Sequence, residues 1–395
     1  MNKSIVSFED TETAFRSKTD ADLRRAYWLF RMLSYNWLVQ ISPTLFNFAL
    51  WARLPIKGII RSTAFRHFCG GESIKDCQKT IEGLAKFNIG TILDYSVEGK
   101  DSEEDFERAL QQTLSTVYRA KGDPKIPFSV FKPSGFASLD ILEKKNEGKL
   151  LSASEQEQYS RFYKRVLSIC QAGFENNVPI YIDAEESWIQ DVVDEIAEEM
   201  MMKFNQKKAI IYNTIQMYRH DRLAFLNKAL SHAKNNGYFL GIKIVRGAYM
   251  EKERARAKLM NYASPIQANK EDCDKDYNSA IKLCMENIAM TYVCVGTHNE
   301  ESCLLVTKLM SENGLKNNHE HIWFSQLYGM SDHISFNLSK ENYNTSKYVP
   351  YGPITSVLPY LIRRAQENTS VKGQTGRELS LISKEVARRK KLRSV

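Results

Sequence analysis

The spacing most able to do chemistry lies near the carboxyl end. Tyr360, Arg363, Arg364 and Glu367 recur at intervals of three and four, which on a helix puts them on neighbouring faces of one surface. Two adjacent guanidinium groups can clamp a carboxylate from two directions. A glutamate four residues beyond Arg363 can hold that guanidinium in place. Taken alone, the adjacent arginine pair is more often a surface charge cluster. A second set is spread along the chain: Lys132, Asp183, Gln216, Lys243, Arg246, His298, Asn299, Gln326 and Tyr348 each sit at or just beyond the end of a short apolar run. One such residue would be a cap or a loop residue. A set drawn from run after run points to a site for a large polar ligand.

The elements that must position these residues follow from the rhythm of the chain. From about residue 76, short β-branched or apolar runs alternate with longer helical patterns, the mark of a parallel sheet built from βα units. The runs are 88–95, 127–132, 178–185, 209–218, 239–247, 291–299, 321–329 and 347–352. Their number fits an α/β fold of the closed (βα)8 TIM type, in which side chains at the carboxyl ends of the strands carry the chemistry. An open doubly wound sheet is the alternative, but no run is followed by Gly-x-Gly-x-x-Gly. The predicted organisation is an N-terminal helical segment over 1–75, the barrel over 76–380 and a basic tail over 381–395.

Composition narrows the classes. The seven cysteines are odd in number and scattered, with no Cys-x-x-Cys pair, so a reducing compartment is the simpler reading. The first residues lack the basic and apolar regions of an export signal, and a cytoplasmic location is expected, with peripheral contact at the inner face of a membrane as a refinement. The uncharged stretch from Met32 to Ala52 carries Ser34, Asn36, Gln40, Ser42 and Asn47, and Pro43 interrupts it. It reads as two short amphipathic helices rather than a span. Trp28, Trp37, Phe46, Phe48 and Trp51 would cover another part of the fold or dip into a membrane interface. Part of the net charge of +8 sits between Arg388 and Arg393, read as a solvated, frayed terminus or else a foothold for anionic lipid. No module interleaves basic and aromatic residues as a nucleic-acid binder would. His319 and His321 are two apart but lack a third ligand, so no metal is expected. Asp94 and Tyr95 either line the site or cap the next helix.

Several segments together resemble the proline dehydrogenase family across nearly the whole barrel. Tyr360-Leu-Ile-Arg-Arg-Ala-Gln-Glu-Asn368 is similar to the family's carboxylate-binding helix, Lys243-Ile-Val-Arg-Gly-Ala-Tyr249 to its fifth-strand signature and Asp183-Ala-Glu-Glu186 to the end of its third strand. Gln216-Met-Tyr218, Thr297-His-Asn299, Gln326-Leu-Tyr-Gly-Met330 and Lys347-Tyr-Val-Pro-Tyr-Gly352 fill the other strand ends in the family's order. The resemblance implies a distorted barrel that holds noncovalent FAD across its strand ends, with the last helix over the site. Gln216, Lys243, Val245, Arg246, Gly247, Ala248, Tyr249, Thr297, His298, Asn299 and Gln326 would hold the cofactor. Lys132, Asp183, Tyr348, Tyr360, Arg363, Arg364 and Glu367 would serve the substrate, L-proline, which is oxidised to a pyrroline carboxylate while electrons pass to a quinone. Cationic donors near a flavin suit the negative charge it gains on reduction.

Two departures stand out. Lys243 and Arg246 exchange the order of cations common in bacterial relatives and resemble the mitochondrial type. After Lys132 the chain continues Pro133-Ser134-Gly135, where the family has a small hydroxyl residue and Ala. Hydroxyproline oxidation is the nearest rival, and the bulk of Tyr348 argues against it. A Schiff-base aldolase using Lys132 or Lys243 is open from lysine placement alone, whereas a noncatalytic membrane or nucleic-acid binder using the aromatic N-terminal helices and the basic tail would leave the strand-end residues without a role.

Overall fold

The structure, a computed structural model, describes residues 6–35, 58, 60–97, 101–370 and 374–394, with side chains throughout except at 366–370 and 374–375. Eight parallel strands close into a barrel in sequence order: β1 (Ile89–Tyr95), β2 (Phe128–Phe131), β3 (Ile180–Ile182), β4 (Ile211–Gln216), β5 (Leu240–Val245), β6 (Thr291–Gly296), β7 (Ile322–Leu327) and β8 (Thr345–Tyr351). The seam is long, with β8 running beside β1 from Ile89↔Thr345 to Tyr95↔Tyr351. Each of the first seven predicted runs contains one strand and the eighth overlaps its strand, and the run ends bend away from the ladder as the loops that carry polar groups. β8 begins two residues earlier than its run because Thr345 and Ser346, though polar, are buried inside the ladder.

Apolar strand residues are covered on the outside by helices whose ends are chemically marked. Helix Ala153–Asn176 starts with a capping box between Ser152 and Glu155 and stops at Asn177 in the left-handed conformation, a conformation asparagine tolerates better than most residues. Helix Glu103–Ala120 is capped by Ser102 and buries Phe106, Leu110 and Val117. Inside, the amino-terminal half of the barrel is filled by aromatic rings. Phe128 stacks on Tyr181 at 4.4 Å and meets Tyr212 and Trp323 edge-on at 5.7 and 5.1 Å. Side chains alternate faces along a strand, so Phe128 and Tyr181 in the floor predict Lys132 and Asp183 on the same faces at the mouth.

The last barrel helix, Leu358–Ser370, does not take the usual outer position. It packs against helix Asp20–Leu33 and the C-terminal helix Gln374–Arg393, while helix Gln78–Ala85 lies against β1. The expected frayed tail is corrected here. Arg388 to Arg393 form the last turns of a helix that buries Leu381 and Ile382 against Ala14, Phe15, Leu23, Ala26 and Phe30. Arg388 pairs with Glu12 at 3.0 Å, and Arg389 and Arg393 pair with Asp20. The charge has local partners, and the boundary placed at 381 falls inside this helix. Of the uncharged stretch, Met32–Tyr35 belong to the described residues and the two expected helices beyond them do not. No described helix is long and apolar enough to cross a membrane.

Candidate active site

At the carboxyl end of the barrel, the side chains predicted for substrate and for cofactor meet. Lys243 from β5 forms an ion pair with Asp183 beyond β3 and donates to the Tyr348 hydroxyl of β8 at 2.5 Å. That hydroxyl also lies 3.2 Å from the same Asp183 oxygen. The rings of Tyr181 and Tyr348 lie parallel at 6.2 Å, and the Lys243 ammonium sits 5.3 and 4.6 Å from their centroids. Lys243 and Asp183 are only 6% and 14% exposed as side chains, so neither charge is solvated well enough to lose its partner cheaply. Removing one member of such a buried pair costs on the order of 3 kcal/mol or more.

A second cationic centre lies beside it. Arg246, just past β5, donates to Asp274 at 2.7 Å, to Thr297 Oγ1 at 2.7 Å and to Ser302 Oγ at 3.0 Å, with its guanidinium carbon 4.2 Å from the centre of the Tyr277 ring. Gly247 follows at φ +135°, and a Cβ there would strike the Tyr218 ring at 2.6 Å. Only glycine fits this position, which leaves the backbone of Gly247 and Ala248 exposed at the mouth beyond Val245. Gln216 accepts from the Ala248 N–H at 3.4 Å and donates to the Glu185 carbonyl at 2.6 Å. Gln326 donates to the Thr297 carbonyl at 3.1 Å. Asn299 caps helix Glu300–Glu312 by accepting from Ser302 N–H at 2.9 Å.

His298 shares a hydrogen with Ser331 at 2.9 Å. Burial, followed by the charges of Lys347 and Arg364, pushes its pKa down to about 3, so the ring is neutral at pH 7. The same influence puts Arg364 of the last barrel helix within electrostatic reach of His298. Arg364 is buried and its guanidinium lies 5.0 Å over the Tyr360 ring, while Arg363 is half-buried. The predicted Glu367 contact concerns a side chain outside the described ones. Lys132 stands at the start of a 3-10 turn after β2, close enough for its charge to act on Glu185. Tyr249 OH lies 3.5 Å from that glutamate.

Several contributors escape the strand-end reading. Asp274 and Ser302, which aim Arg246, come from helices whose sequence gives no hint of that partner. Lys347 is fully buried on β8, where it pairs with Asp332 at 2.9 Å and donates to the Met330 carbonyl at 2.5 Å. Asp94 is buried and takes a hydrogen bond from Ser96 at 2.7 Å. At the opposite end of the barrel, His321 stacks on Tyr292 at 3.6 Å and faces the Ile288 carbonyl, so it is more covered than an ordinary surface histidine. A cleft of about 1210 Å³ between helices Asp20–Leu33 and Gln78–Ala85 shares none of the predicted site residues.

The donors at this mouth are cationic or amide groups, which together fit a flat, anionic, hydrogen-bonding cofactor, and the neighbouring arginines fit a carboxylate. The chain is 35% identical to the carbapenem antibiotics biosynthesis protein CarD of Pectobacterium carotovorum over 82% of its length and 83% of that protein. It is 32% identical to the mitochondrial proline dehydrogenase 1 of Dictyostelium discoideum, covering 96% of this chain and 74% of the relative. The fold matches proline utilization A (PutA) from Bdellovibrio bacteriovorus with a TM-score of 0.73 at 20% identity, over 94% of this chain and 40% of that one. A model of the proline dehydrogenase family matches residues 77–377, and the chain belongs to that family.

Proposed function

We propose that the protein oxidises L-proline to Δ1-pyrroline-5-carboxylate with a noncovalently held FAD. The observation that carries this reading is the joining of Lys243, Asp183 and Tyr348 at the barrel mouth, with Arg246 just past the end of the same strand as Lys243. When bound, the flavin would supply the acceptor for a hydride from C5 of the proline ring. The rest is done by the chain. Arg246 and the open Gly247–Ala248 backbone suit a pyrophosphate, while Lys243 and Gln216 bring positive charge and amide hydrogens to the buried end of the site. Arg363 and Arg364, with Lys132, would hold the substrate carboxylate, and Tyr348 and Tyr360 would wall the ring. Proline must enter, or become, the free amine, because the nitrogen lone pair has to form the C=N bond as C5 gives up its hydride; the product is then the protonated imine, which can release its N–H proton afterwards. A fixed orientation of C5 is the chief contribution to rate.

Electrons would leave for a quinone, and a peripheral contact with the membrane follows from that acceptor. Tyr348 would favour proline over hydroxyproline, since its bulk, held in place by Lys243 and Asp183, would leave less room for an added hydroxyl than a smaller residue. The test is a visible spectrum of the purified protein before and after L-proline under anaerobic conditions. Bleaching of a bound flavin, with pyrroline carboxylate as product, is expected. Folded protein that carries no flavin, or flavin that stays oxidised, would contradict the reading, and faster turnover of hydroxyproline would reassign the substrate.

A further inference from the structure

We propose that Glu185 is a positioning residue for the active site, fixing through its carboxylate the loop that carries Lys132 and through its main-chain carbonyl the amide of Gln216. The proposal rests on the proline-oxidation reading and adds to it a residue outside the expected substrate-binding and cofactor-binding sets.

The geometry is that of a hub. One carboxylate oxygen of Glu185 accepts from the Ser134 N–H at 2.9 Å and from the Ser134 hydroxyl at 2.6 Å. The other lies 3.5 Å from Tyr249 OH, beyond β5. Its carbonyl accepts from Gln216 at 2.6 Å, and its N–H donates to Gln190 at 2.7 Å. One residue beyond β3 thus ties the loops or strands of β2, β4 and β5 together. Gln190 in turn donates to Asp194, which also holds Asn213 and Arg222, so the hub is anchored in the helix layer.

This explains the chain's departure after Lys132. Pro133 has no N–H to offer and a fixed φ, and it opens a tight turn in which the Gly135 N–H bonds back to the Lys132 carbonyl at 3.0 Å. The turn leaves Ser134 N–H pointing at Glu185, which supplies the anchor that the turn itself lacks. Glu185 is 2% exposed, and a carboxylate so placed binds two donors more strongly when charged than when protonated.

Its ionisation is poised. Burial, and then the neighbouring Glu186, raise its pKa to about 7, against the pull of Ser134 and of Lys132. The groups facing it are Glu186 on its own segment, Lys132 and Ser134 from the β2 loop, Gln190 from the following helix and Tyr249 from the β5 loop; Lys252 pairs with Glu186. As pH rises through about 7 the carboxylate gains its charge, grips Ser134 and draws the Lys132 ammonium into place. Affinity for proline should therefore rise over that interval.

The experiment compares wild type, Glu185→Gln and Ser134→Ala by proline-dependent flavin reduction between pH 6 and 9. Glu185→Gln should raise KM about tenfold while kcat changes less than about threefold, and it should lose the part of the KM change centred near neutrality. Ser134→Ala keeps the N–H contact and should raise KM about threefold, which decides the matter if the first variant does not fold. Variants with the KM and pH profile of the wild type would overturn the proposal. Wild type that fails to reduce its flavin with proline would instead sink the function reading, and this proposal with it.

Discussion

Two parts of this molecule are dense in ion pairs, and they differ in kind. At the barrel mouth, Lys243 and Asp183 are nearly buried, come from different strands and converge on the barrel axis. In the clasp between the first and last helices, Arg377, Lys384, Arg388 and Arg393 pair with Glu9, Glu12 and Asp20, with side chains from about a third to three-quarters exposed. Exposed pairs contribute at most about 1 kcal/mol each, while a buried pair is costly to break. Charge in the clasp thus sets the register of two helices already joined by Leu381, Ile382, Phe15 and Phe30, whereas charge at the mouth is held against its desolvation cost, which fits the role in proline oxidation proposed above.

That contrast yields graded expectations. The largest effect should come from Asp183→Ala, which strands the Lys243 ammonium and frees Tyr348. Proline-dependent kcat/KM should fall by about a thousandfold or more, measured on protein matched for flavin content. A loss under about tenfold would place the ion pair outside the chemistry. Glu385 breaks the simple division, because its side chain is fully covered although it belongs to the clasp, where it binds Thr11, Arg388 and Arg389. Glu385→Ala should cost about 2 kcal/mol in urea unfolding and leave kcat unchanged.

The pH dependence of stability is next in size. Burial and Lys18 push His67 down to about 4, and His298 lies at about 3. A histidine whose folded pKa is depressed adds stability above its unfolded value near 6.5, and that stability is lost as pH falls toward the folded value. Glu185 works the other way, since its raised pKa favours the folded state at low pH and that benefit disappears as pH rises through about 7. Relative to His67→Gln, wild type should therefore lose about 2 kcal/mol of stability between pH 7 and pH 5, read from paired urea curves. The smallest effect belongs to Arg393→Ala, within about 0.5 kcal/mol. A cost above about 1.5 kcal/mol would mean that the clasp is held by its charges.

Most of the barrel was legible because its strands are short, apolar and regularly spaced, and because a strand's carboxyl end can be read from the residue that closes an apolar run. Lys243, Asp183 and Tyr348 were marked by that rule, although assigned to different ligands, and the fold brings them into one contact set. Thr345 and Ser346 escaped because buried polar strand residues look like loop residues. Asp274 and Ser302 escaped for another reason: a helix surface carries many such residues, and only the fold shows which of them faces Arg246. Glu185 lay inside a motif, but its task depends on Ser134, some fifty positions away. The tail misled because a run of basic residues shows charge without showing the acids opposite, here Glu12 and Asp20 at the far end of the chain.

In the proposed reaction the arginine helix and the Lys243–Asp183–Tyr348 set face one another across a bound imino acid. The most direct measurement is a crystal structure with an unreactive five-membered ring carboxylic acid in which oxygen replaces the ring nitrogen. Its carboxylate is expected between Arg363 and Arg364, with the ring against Tyr348. Density for the ligand anywhere else, or undiminished binding to Arg364→Ala, would contradict the account.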